Sequence, residues 1–391
     1  MKNRVVSLIL ALGLLISLAA CAASPKPSAI APVTQAPATG IPALADTDAN
    51  SANGEDDQNT PPQNGGVRVF TDSVGREVEL PASIERVAVS GPMAQMALIA
   101  LCPEKLVGIA ASFDAGAEQF VPPEYYNLPL LGQLYGSDAA INLEELAVIN
   151  PQVIIDIGEP KKTVKEDLDG LSEQVGIPTV HITATLATMA DAYRLLGELV
   201  GETKRAERLA QYCERVYGRG MMIASSLGEH APTVLYCLGE DGLNVLARGA
   251  FHSELLDFMS NNIAVVDDPS ARGTGNETDM EQLMLWDPDI IFFAPDVNFE
   301  EIGGDPVWQQ LKAVQNGSYY RVPSGPYNWM GNPPAVNRYL GILWMPVILH
   351  PEFVDYDLYE ETREYYELFY HTDLTREQFD ELTSGSIPGA V

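Results

Sequence analysis

The chain has 391 residues, of which 46% are hydrophobic and 20% charged, as in proteins that fold around one large core or two lobes. Its 23 Lys and Arg residues and 54 Asp and Glu residues give a formal net charge of −31 at pH 7. This acidic excess argues against nucleic acid as a partner, because phosphate backbones are bound by basic surfaces.

The N-terminus carries the pattern of an exported lipoprotein. Lys2 and Arg4 form a short positive region, and the apolar run that follows is too short for an ordinary membrane span. The run ends in Leu18-Ala19-Ala20-Cys21, which resembles a bacterial lipobox. Residues 1–20 are therefore predicted to be a signal peptide, and Cys21 to be lipidated. The alternative is a plain secretory signal in which a cysteine falls at this position by chance.

The segment that follows lacks the apolar periodicity of a folded core. It is built mostly from small and polar residues, so residues 21–66 are predicted to be the lipidated cysteine and a disordered tether. A flexible chain of this length reaches about 35–40 Å on average, enough to hold a folded body away from a membrane. Cys102, Cys213 and Cys237 remain, and buried free thiols are favoured over a disulfide bond among them.

Short apolar runs alternate with helical stretches from residue 67 onwards, which predicts a parallel α/β sheet. The predicted strands of this first block lie at residues 67–70, 87–89, 106–110, 153–157 and 179–182. The predicted helices lie at residues 93–101, 143–149 and 164–175.

A long helical stretch over residues 187–225 separates this block from a second one. Gly197, Gly201, Gly218 and Gly220 are positions at which it is expected to break or to be capped early. The second block has predicted strands at residues 233–237, 264–266 and 290–294. Its predicted helices lie at residues 251–259, 279–286 and 335–349, followed by two short tail helices at 358–370 and 375–382.

One helix–strand unit occurs twice, at residues 142–155 and 279–292. Both copies have an Asn or Asp cap, a Glu near the helix start, a Pro after the helix and a fully apolar strand. This match favours two homologous lobes over chance recurrence. The predicted fold class is α/β, with two α/β lobes joined by a long backbone helix and a ligand cleft between the lobes. The predicted boundaries are 67–186 for the N-terminal lobe, 187–226 for the linker helix and 227–391 for the C-terminal lobe with its helical tail.

A series of motifs spans about residues 67 to 370. It comprises residues 71–78 and 84–88, the repeated unit, and residues 331–341 with the helix after them. Their order resembles the iron-siderophore, haem and cobalamin family of periplasmic substrate-binding proteins that serve ABC importers. The resemblance implies two lobes joined by a long helix, with the ligand in the cleft at the strand ends. Open α/β sheets generally bind ligands beyond the carboxyl ends of their strands.

The resemblance also implies an exposed Glu on each lobe that binds Arg residues of the importer's membrane subunits. By position in the repeated unit these residues are Glu144 and Glu281. The alternative for each is a solvated residue near a helix N-terminus, where acidic side chains are favoured. The predicted partners are the permease dimer with its ATPase subunits, and the membrane through the lipid anchor; the protein is predicted to be a monomer.

A metal chelate is held by aromatic walls and a few polar or charged anchors. Eight candidate ligand-binding residues follow strands that should border the cleft: Met93, Phe113, Tyr135, Arg248, Arg272, Tyr327, Asn328 and Trp329. The two arginines suit ligand carboxylates or catecholate oxygens, or equally a neighbouring acid of the protein. Residues 327–329 equally suit a structural lid. His252 is more simply a residue at a helix start than an axial metal ligand.

The predicted function is that of an extracytoplasmic solute-binding lipoprotein. It captures a ferric siderophore, haem or corrinoid and delivers it to an ABC importer, with iron or cobalt arriving inside the ligand and no cofactor of its own. The sequence contains none of the common catalytic motifs, so an enzyme is not predicted. The alternative from a different class is a surface lipoprotein with a sensory or structural role.

Overall fold

The computed structural model describes residues 66–136, 140–227 and 231–388. The predicted signal peptide, Cys21 and the tether up to residue 65 lie outside the described residues. Across the described ranges, none of the helices has both the length and the apolar character needed to cross a bilayer. Cys102, Cys213 and Cys237 are buried and free, as the sequence favours.

The N-terminal lobe opens with an antiparallel hairpin and continues with a parallel sheet. The hairpin pairs β1 (Val67–Thr71) with β2 (Glu77–Pro81). The sheet has the order β3-β4-β5, formed by β3 (Val87–Val89), β4 (Val153–Gly158) and β5 (Thr179–Thr183). Nearly all of its residues are buried, as in parallel sheets covered on both faces. The helices of this lobe are α1 (Pro92–Leu101), α2 (Pro123–Tyr126), α3 (Leu143–Ile149) and α4 (Val164–Val175).

Two helices, rather than one continuous stretch, lead out of this lobe: α5 (Met189–Val200) and α6 (Thr203–Leu227). The break falls at Gly201, whose φ of 81° is a left-handed conformation that glycine adopts without a steric penalty. Gly197 allows the two helices to pack closely, since a Cβ there would lie 2.3 Å from the Cβ of Ala206. The 25-residue α6 is the long helix that joins the lobes.

The C-terminal lobe contains a mixed sheet of the order β11-β10-β6-β7-β9, with β8 beside β6. Its strands are β6 (Thr233–Leu238), β7 (Asn244–Val245), β8 (Asn261–Asn262), β9 (Asn276–Glu277), β10 (Ile290–Phe293) and β11 (Tyr319–Arg321). Its helices before the tail are α7 (Glu254–Met259), α8 (Met280–Trp286), α9 (Phe299–Ile302), α10 (Lys312–Gln315) and α11 (Arg338–Leu349). The described chain is thus an α/β protein with two lobes joined by a long helix, as predicted.

The tail returns from the C-terminal lobe to the N-terminal lobe. It consists of α12 (Leu358–Tyr365), a π-helical turn (Tyr366–Tyr370) and α13 (Arg376–Leu382). The ring of Tyr366 meets the edge of Phe120 at 5.5 Å, and His371 Nε2 lies 2.8 Å from the carbonyl oxygen of Ile99. Residues of both lobes and of the tail belong to one continuous hydrophobic core.

The repeated unit has the same local structure in both lobes. Asn142 accepts a hydrogen bond from the backbone N–H three residues later at the start of α3, and Asp279 does the same at the start of α8. Both helices end in a residue with positive φ, Asn150 at 50° and Asp287 at 39°. This equivalence supports the inference of two related lobes.

Two predicted strands are wrong. Residues 106–110 form only isolated bridges, from Leu106 to Val87 and from Ile109 to Leu130. Residues 264–266 lie beyond β8, because the side-chain oxygen of Asn262 accepts the backbone N–H of Ala264 and the sheet pairing ends there.

Candidate functional site

A cavity of about 300 Å³ lies where the lobes meet. The cavity is lined by residues 114–117, 119 and 120 of the N-terminal lobe, by Arg321 at the end of β11 with residues 322 and 324–326 after it, and by the end of α13. Its charged lining includes Asp114, Glu381 and Arg321, and Arg321 forms an ion pair with Glu300 at 3.0 Å. With two carboxylates and a cation that is already paired, this cavity does not favour an anion.

Phe113 and Tyr327 meet across the lobe boundary beside this cavity, with ring centroids 5.8 Å apart. Gln95 on α1 donates a hydrogen bond of 2.9 Å to the Tyr327 hydroxyl. Burial raises the pKa of Tyr327, so its hydroxyl stays protonated. The structure therefore brings together these two predicted residues, and in the described conformation they tie the lobes to each other.

Asn328 and Trp329 lie in the interior of the C-terminal lobe. The Asn328 amide donates to the Tyr236 hydroxyl at 2.8 Å, and its oxygen accepts the N–H of Met330 at 2.7 Å. Trp329 is fully buried. Neither side chain reaches a surface that a ligand can touch in this conformation, and their contacts are those of a structural loop.

Met93 and Tyr135 lie at the carboxyl end of the N-terminal sheet. The Met93 methyl group covers Gly158, where a Cβ would come within 2.7 Å of it. Burial, followed by the charges of Asp156 and Asp167, raises the pKa of Tyr135. Tyr135 is therefore a neutral, half-buried side chain near the end of β4.

Arg248 serves the packing of its own lobe. Its guanidinium donates to the carbonyl oxygen of Asn262 at 2.5 Å and to the side-chain oxygen of Asn261 at 2.6 Å. These contacts fasten the loop after β7 to β8. Its partners among the described residues are amide oxygens and not the acidic neighbour that the sequence left open.

Arg272 is exposed on the loop before β9, and it forms no ion pair with another described residue. The next residue, Gly273, lies close to two polar side chains. A Cβ at Gly273 would come within 3.0 Å of the His252 ring and 2.9 Å of the Asn332 side-chain oxygen. The loop that carries Arg272 therefore packs directly on His252.

Arg338, at the start of α11, is a second arginine near His252, and its side chain is completely buried. Its Nη1 donates to Glu254 at 2.6 Å, whereas its Nη2 has no hydrogen-bond partner among the described residues. The guanidinium also lies 5.2 Å from the ring centre of Phe251. This nitrogen is itself buried, so in the described conformation it lacks an acceptor among the described residues and is not open to a ligand.

His252 shows that the cations of the two lobes share this location. Its pKa is lowered to about 4, first by burial and then by the positive charges of Arg338 and Lys161. Lys161 belongs to the N-terminal lobe, in the loop after β4, whereas Arg338 belongs to the C-terminal lobe. We call three residues the cationic cluster: Lys161 and Arg338, whose charges act on the neutral His252, and Arg272, which lies on the loop that packs on His252.

The cationic cluster is connected to the segment that leaves the N-terminal lobe. Glu254, the partner of Arg338, also accepts the backbone N–H of Leu186 at 3.2 Å. Tyr339, the residue after Arg338, donates its hydroxyl to the carbonyl oxygen of Leu186 at 2.7 Å. Glu254 and Tyr339, which lie beside the cationic cluster, thus bind the backbone N–H and the carbonyl oxygen of Leu186, where the chain leaves the N-terminal lobe.

Lys161, Glu254 and Arg338 are not among the site residues predicted from the sequence. Arg338 carried a usable signal, since it is the only charged residue in the apolar run 335–349. A lone charge in such a run requires a partner when it is buried. Lys161 and Glu254 carried no comparable signal, because they join the site only through the tertiary fold.

Glu144 and Glu281 are both exposed, near the starts of α3 and α8. They occupy equivalent positions in the repeated unit, one on each lobe. Neither forms an ion pair with another described residue, so both carboxylates are available to a partner.

Comparisons with known proteins agree with this architecture. The family model described as "Periplasmic binding protein" matches residues 120–326, more than half of the chain. The molybdate-binding protein MolA of Haemophilus influenzae is 23% identical over 335 residues, which cover 78% of this chain and 91% of MolA. The Fe(3+)-citrate-binding protein YfmC of Bacillus subtilis is 24% identical over 47% of this chain and 58% of its own.

A solved structure, the ABC transporter solute-binding protein of Sulfurospirillum deleyianum, superimposes with a TM-score of 0.74 at 25% identity. The match covers 81% of this chain and 98% of that protein. The matching family consists of extracytoplasmic substrate-binding proteins of transporters, not of enzymes. The chain belongs to the periplasmic binding protein family and is a solute-binding protein of ABC transporters.

Proposed function

We propose that this protein captures a metal chelate that carries anionic groups, such as a ferric siderophore, a carboxylate-bearing ferric complex, haem or a corrinoid with its phosphate, and delivers it as a monomer to an ABC importer. The cationic cluster is the observation that carries this proposal. Arg272 is exposed and unpaired among the described residues. In a chain with a net charge of −31, an exposed arginine without an acidic partner among the described residues is suited to a ligand that brings its own negative charge.

Relatives of the chain support an anionic ligand. One is named for molybdate and another for Fe(3+)-citrate, and both names denote oxygen-rich anions. Guanidinium groups bind such oxygens through paired hydrogen bonds.

A thermal-shift panel tests the ligand class. Ferric citrate, ferric siderophores, haemin, cobalamins and molybdate are each added to the full-length protein. A ligand that binds only the folded state raises the melting temperature according to its concentration and affinity. We expect a concentration-dependent rise with at least one anionic metal chelate. A panel without any rise would argue for the sensory or structural role instead.

Delivery is proposed to require Glu144 and Glu281. Their exposure, their equivalent positions on the two lobes and their lack of partners among the described residues support a role in binding the importer. Two carboxylates meeting guanidinium groups of the membrane subunits would fix the orientation of the complex. Hydrolysis of ATP would belong to separate subunits of the importer.

Charge reversal at both sites, Glu144→Lys with Glu281→Lys, is expected to abolish transport into proteoliposomes that contain the importer. Ligand affinity should not change, because both residues lie on exposed helix starts outside the cationic cluster. Glu240→Lys with Glu377→Lys serves as the control, since these glutamates are exposed elsewhere on the surface. Transport at the normal rate by the first double variant would refute the docking assignment.

Attachment to the membrane is proposed to occur through lipid on Cys21. The lipobox-like sequence before Cys21 supports this proposal. Cys21→Ser should move the protein from the membrane fraction to the soluble fraction of expressing cells. Retention of the variant in the membrane fraction would contradict lipidation at this position.

A further inference from the structure

Two apolar side chains are far more exposed than is usual for their type. Val148 on α3 is 80% exposed and Leu285 on α8 is 78% exposed, which makes them the two most exposed large hydrophobic residues of the described chain. Single exposed apolar residues are ordinary on protein surfaces. Here, however, the two extremes fall at the same position of the repeated unit, one on each lobe.

The surroundings of the two residues match as well. On each helix the apolar residue follows the exposed glutamate by four positions, Val148 after Glu144 and Leu285 after Glu281. Residues four apart lie on the same face of a helix. Each lobe therefore presents one carboxylate and one apolar side chain side by side, and we call these two surfaces the α3 patch and the α8 patch.

The fold positions both patches in the same way. Leu146 and Leu283, at equivalent positions, are fully buried and anchor the two helices to their lobes. The matching caps described above fix where each helix begins and ends. Since the helices are held by their opposite faces, the outward position of Val148 and Leu285 follows from the helical register. Neither side chain belongs to the hydrophobic core formed by the described residues.

We propose that the α3 and α8 patches insert Val148 and Leu285 into two equivalent apolar depressions on the paired membrane subunits of the importer. This inference rests on the proposed docking function and adds an apolar contact to each carboxylate. A glutamate and an exposed apolar residue that recur at equivalent positions on both lobes fit a partner that offers the same depression twice, as a two-fold symmetric pair of subunits does.

Charge decides between this partner and a second copy of the same chain. Each patch carries an unpaired carboxylate, and the whole chain carries a net charge of −31. Two such patches facing each other would repel, whereas cationic side chains around an apolar depression complement both parts of the patch. The occupant is therefore a cationic partner, and burial of the apolar side chain there would mainly lower the rate of dissociation.

Binding of the full-length protein to the importer in nanodiscs tests the inference. The variants are Val148→Ser, Leu285→Ser and the double variant, with Met222→Ser and Val265→Ser as controls that are 67% and 61% exposed elsewhere. We expect each single variant to weaken binding, and the double variant to weaken it by at least about tenfold, since each loses one buried apolar contact. The controls should bind within about twofold of the unchanged protein, as is typical of residues outside an interface.

The pattern of results separates this inference from the docking proposal. If the double serine variant binds the importer as tightly as the unchanged protein while the double charge reversal does not bind, the apolar contact is refuted and carboxylate docking stands. If neither variant alters binding, both are refuted. Melting temperatures close to that of the unchanged protein are expected for all serine variants, because these side chains are mostly exposed.

Discussion

At the scale of single residues, Arg338 and His252 give the cationic cluster its particular chemistry. Arg338 keeps a positive charge in the protein interior, where Glu254 is its only acidic partner among the described residues. His252 stays neutral beside it, since its pKa is lowered to about 4. The two residues place one charged and one neutral group near each other, and each has a measurable consequence for stability.

Glu254→Gln is expected to lower the free energy of unfolding by about 3 kcal/mol, because it leaves the buried Arg338 charge without its partner. Urea unfolding followed by circular dichroism gives the value. Glu240→Gln, a change of the same kind at an exposed side chain, should alter it by less than about 0.5 kcal/mol. Equal effects of the two substitutions would mean that the ion pair does not stabilise the fold.

The neutral His252 predicts a loss of stability in acid. Its pKa is about 4 in the folded protein and about 6.5 in an unfolded chain. Between these values the unfolded chain binds a proton that the folded protein does not bind. The neutral His252 therefore adds its full contribution to the free energy of unfolding above about pH 6.5. This contribution is lost as the pH falls towards 4.

The comparison with His252→Gln isolates this effect from other titrating groups. The free energy of unfolding should fall more between pH 7 and pH 4.5 in the unchanged protein than in the variant. Identical pH profiles would show that His252 titrates normally and is not buried beside cations.

At the scale of elements, two glycines near the joining helices predict opposite effects of the same substitution. Gly201→Ala should lower the free energy of unfolding by about 1 kcal/mol, since alanine must adopt a left-handed conformation there. Gly218→Ala should raise it by about 1 kcal/mol, because this residue lies inside α6. No atom within 4 Å opposes a Cβ at either position, so only the backbone contributes. Effects of the same sign in urea unfolding would contradict the break between α5 and α6.

The observed helices and strands, compared with the predicted ones, show how far the sequence predicts the fold. Helices with clear periodicity and caps were predicted to the residue, as α3 and α4 show. Strands β7 and β9 have only two residues each, and such short segments carry no periodicity of their own. Their pairing depends on distant parts of the chain, as does the failure of residues 106–110 to form a strand.

The residues of the candidate site were harder to predict from the sequence than the helices, because their proximity also depends on distant parts of the chain. Arg272 was identified from its loop, but Lys161 and Arg338 come together with it only when the lobes meet. Trp329 looked exposed because its loop is rich in Gly and Pro, yet the loop folds inward and buries the ring. Sequence indicates which segments border a cleft, whereas the direction of each side chain is a property of the packed structure.

At the scale of the whole molecule, the tail connects the lobes. The ring of Phe369 stacks on Tyr365 at 4.3 Å and meets Tyr212 of α6 at 5.3 Å. Further contacts of the tail reach Phe120 and Ile99 of the N-terminal lobe. Because these residues share one core, the two lobes are expected to unfold together in a single transition.

Phe369→Ala should lower the free energy of unfolding by about 3–5 kcal/mol, because it removes a fully buried ring. Phe353→Ala, which removes an exposed ring, should lower it by less than about 1 kcal/mol. Tryptophan fluorescence and circular dichroism should report the same midpoint in urea for the unchanged protein. Two separate midpoints would show that the lobes are independent units and that the tail does not couple them.

An affinity measurement at Arg272 tests whether the cationic cluster binds an anionic chelate. The dissociation constant is measured for whichever compound of the thermal-shift panel gives the largest rise in melting temperature. Loss of one charge-assisted contact in Arg272→Ala should weaken binding by about tenfold or more, whereas Arg208→Ala, at an exposed arginine on α6, should leave it within about twofold. Equal affinities of the unchanged protein and Arg272→Ala would contradict the account.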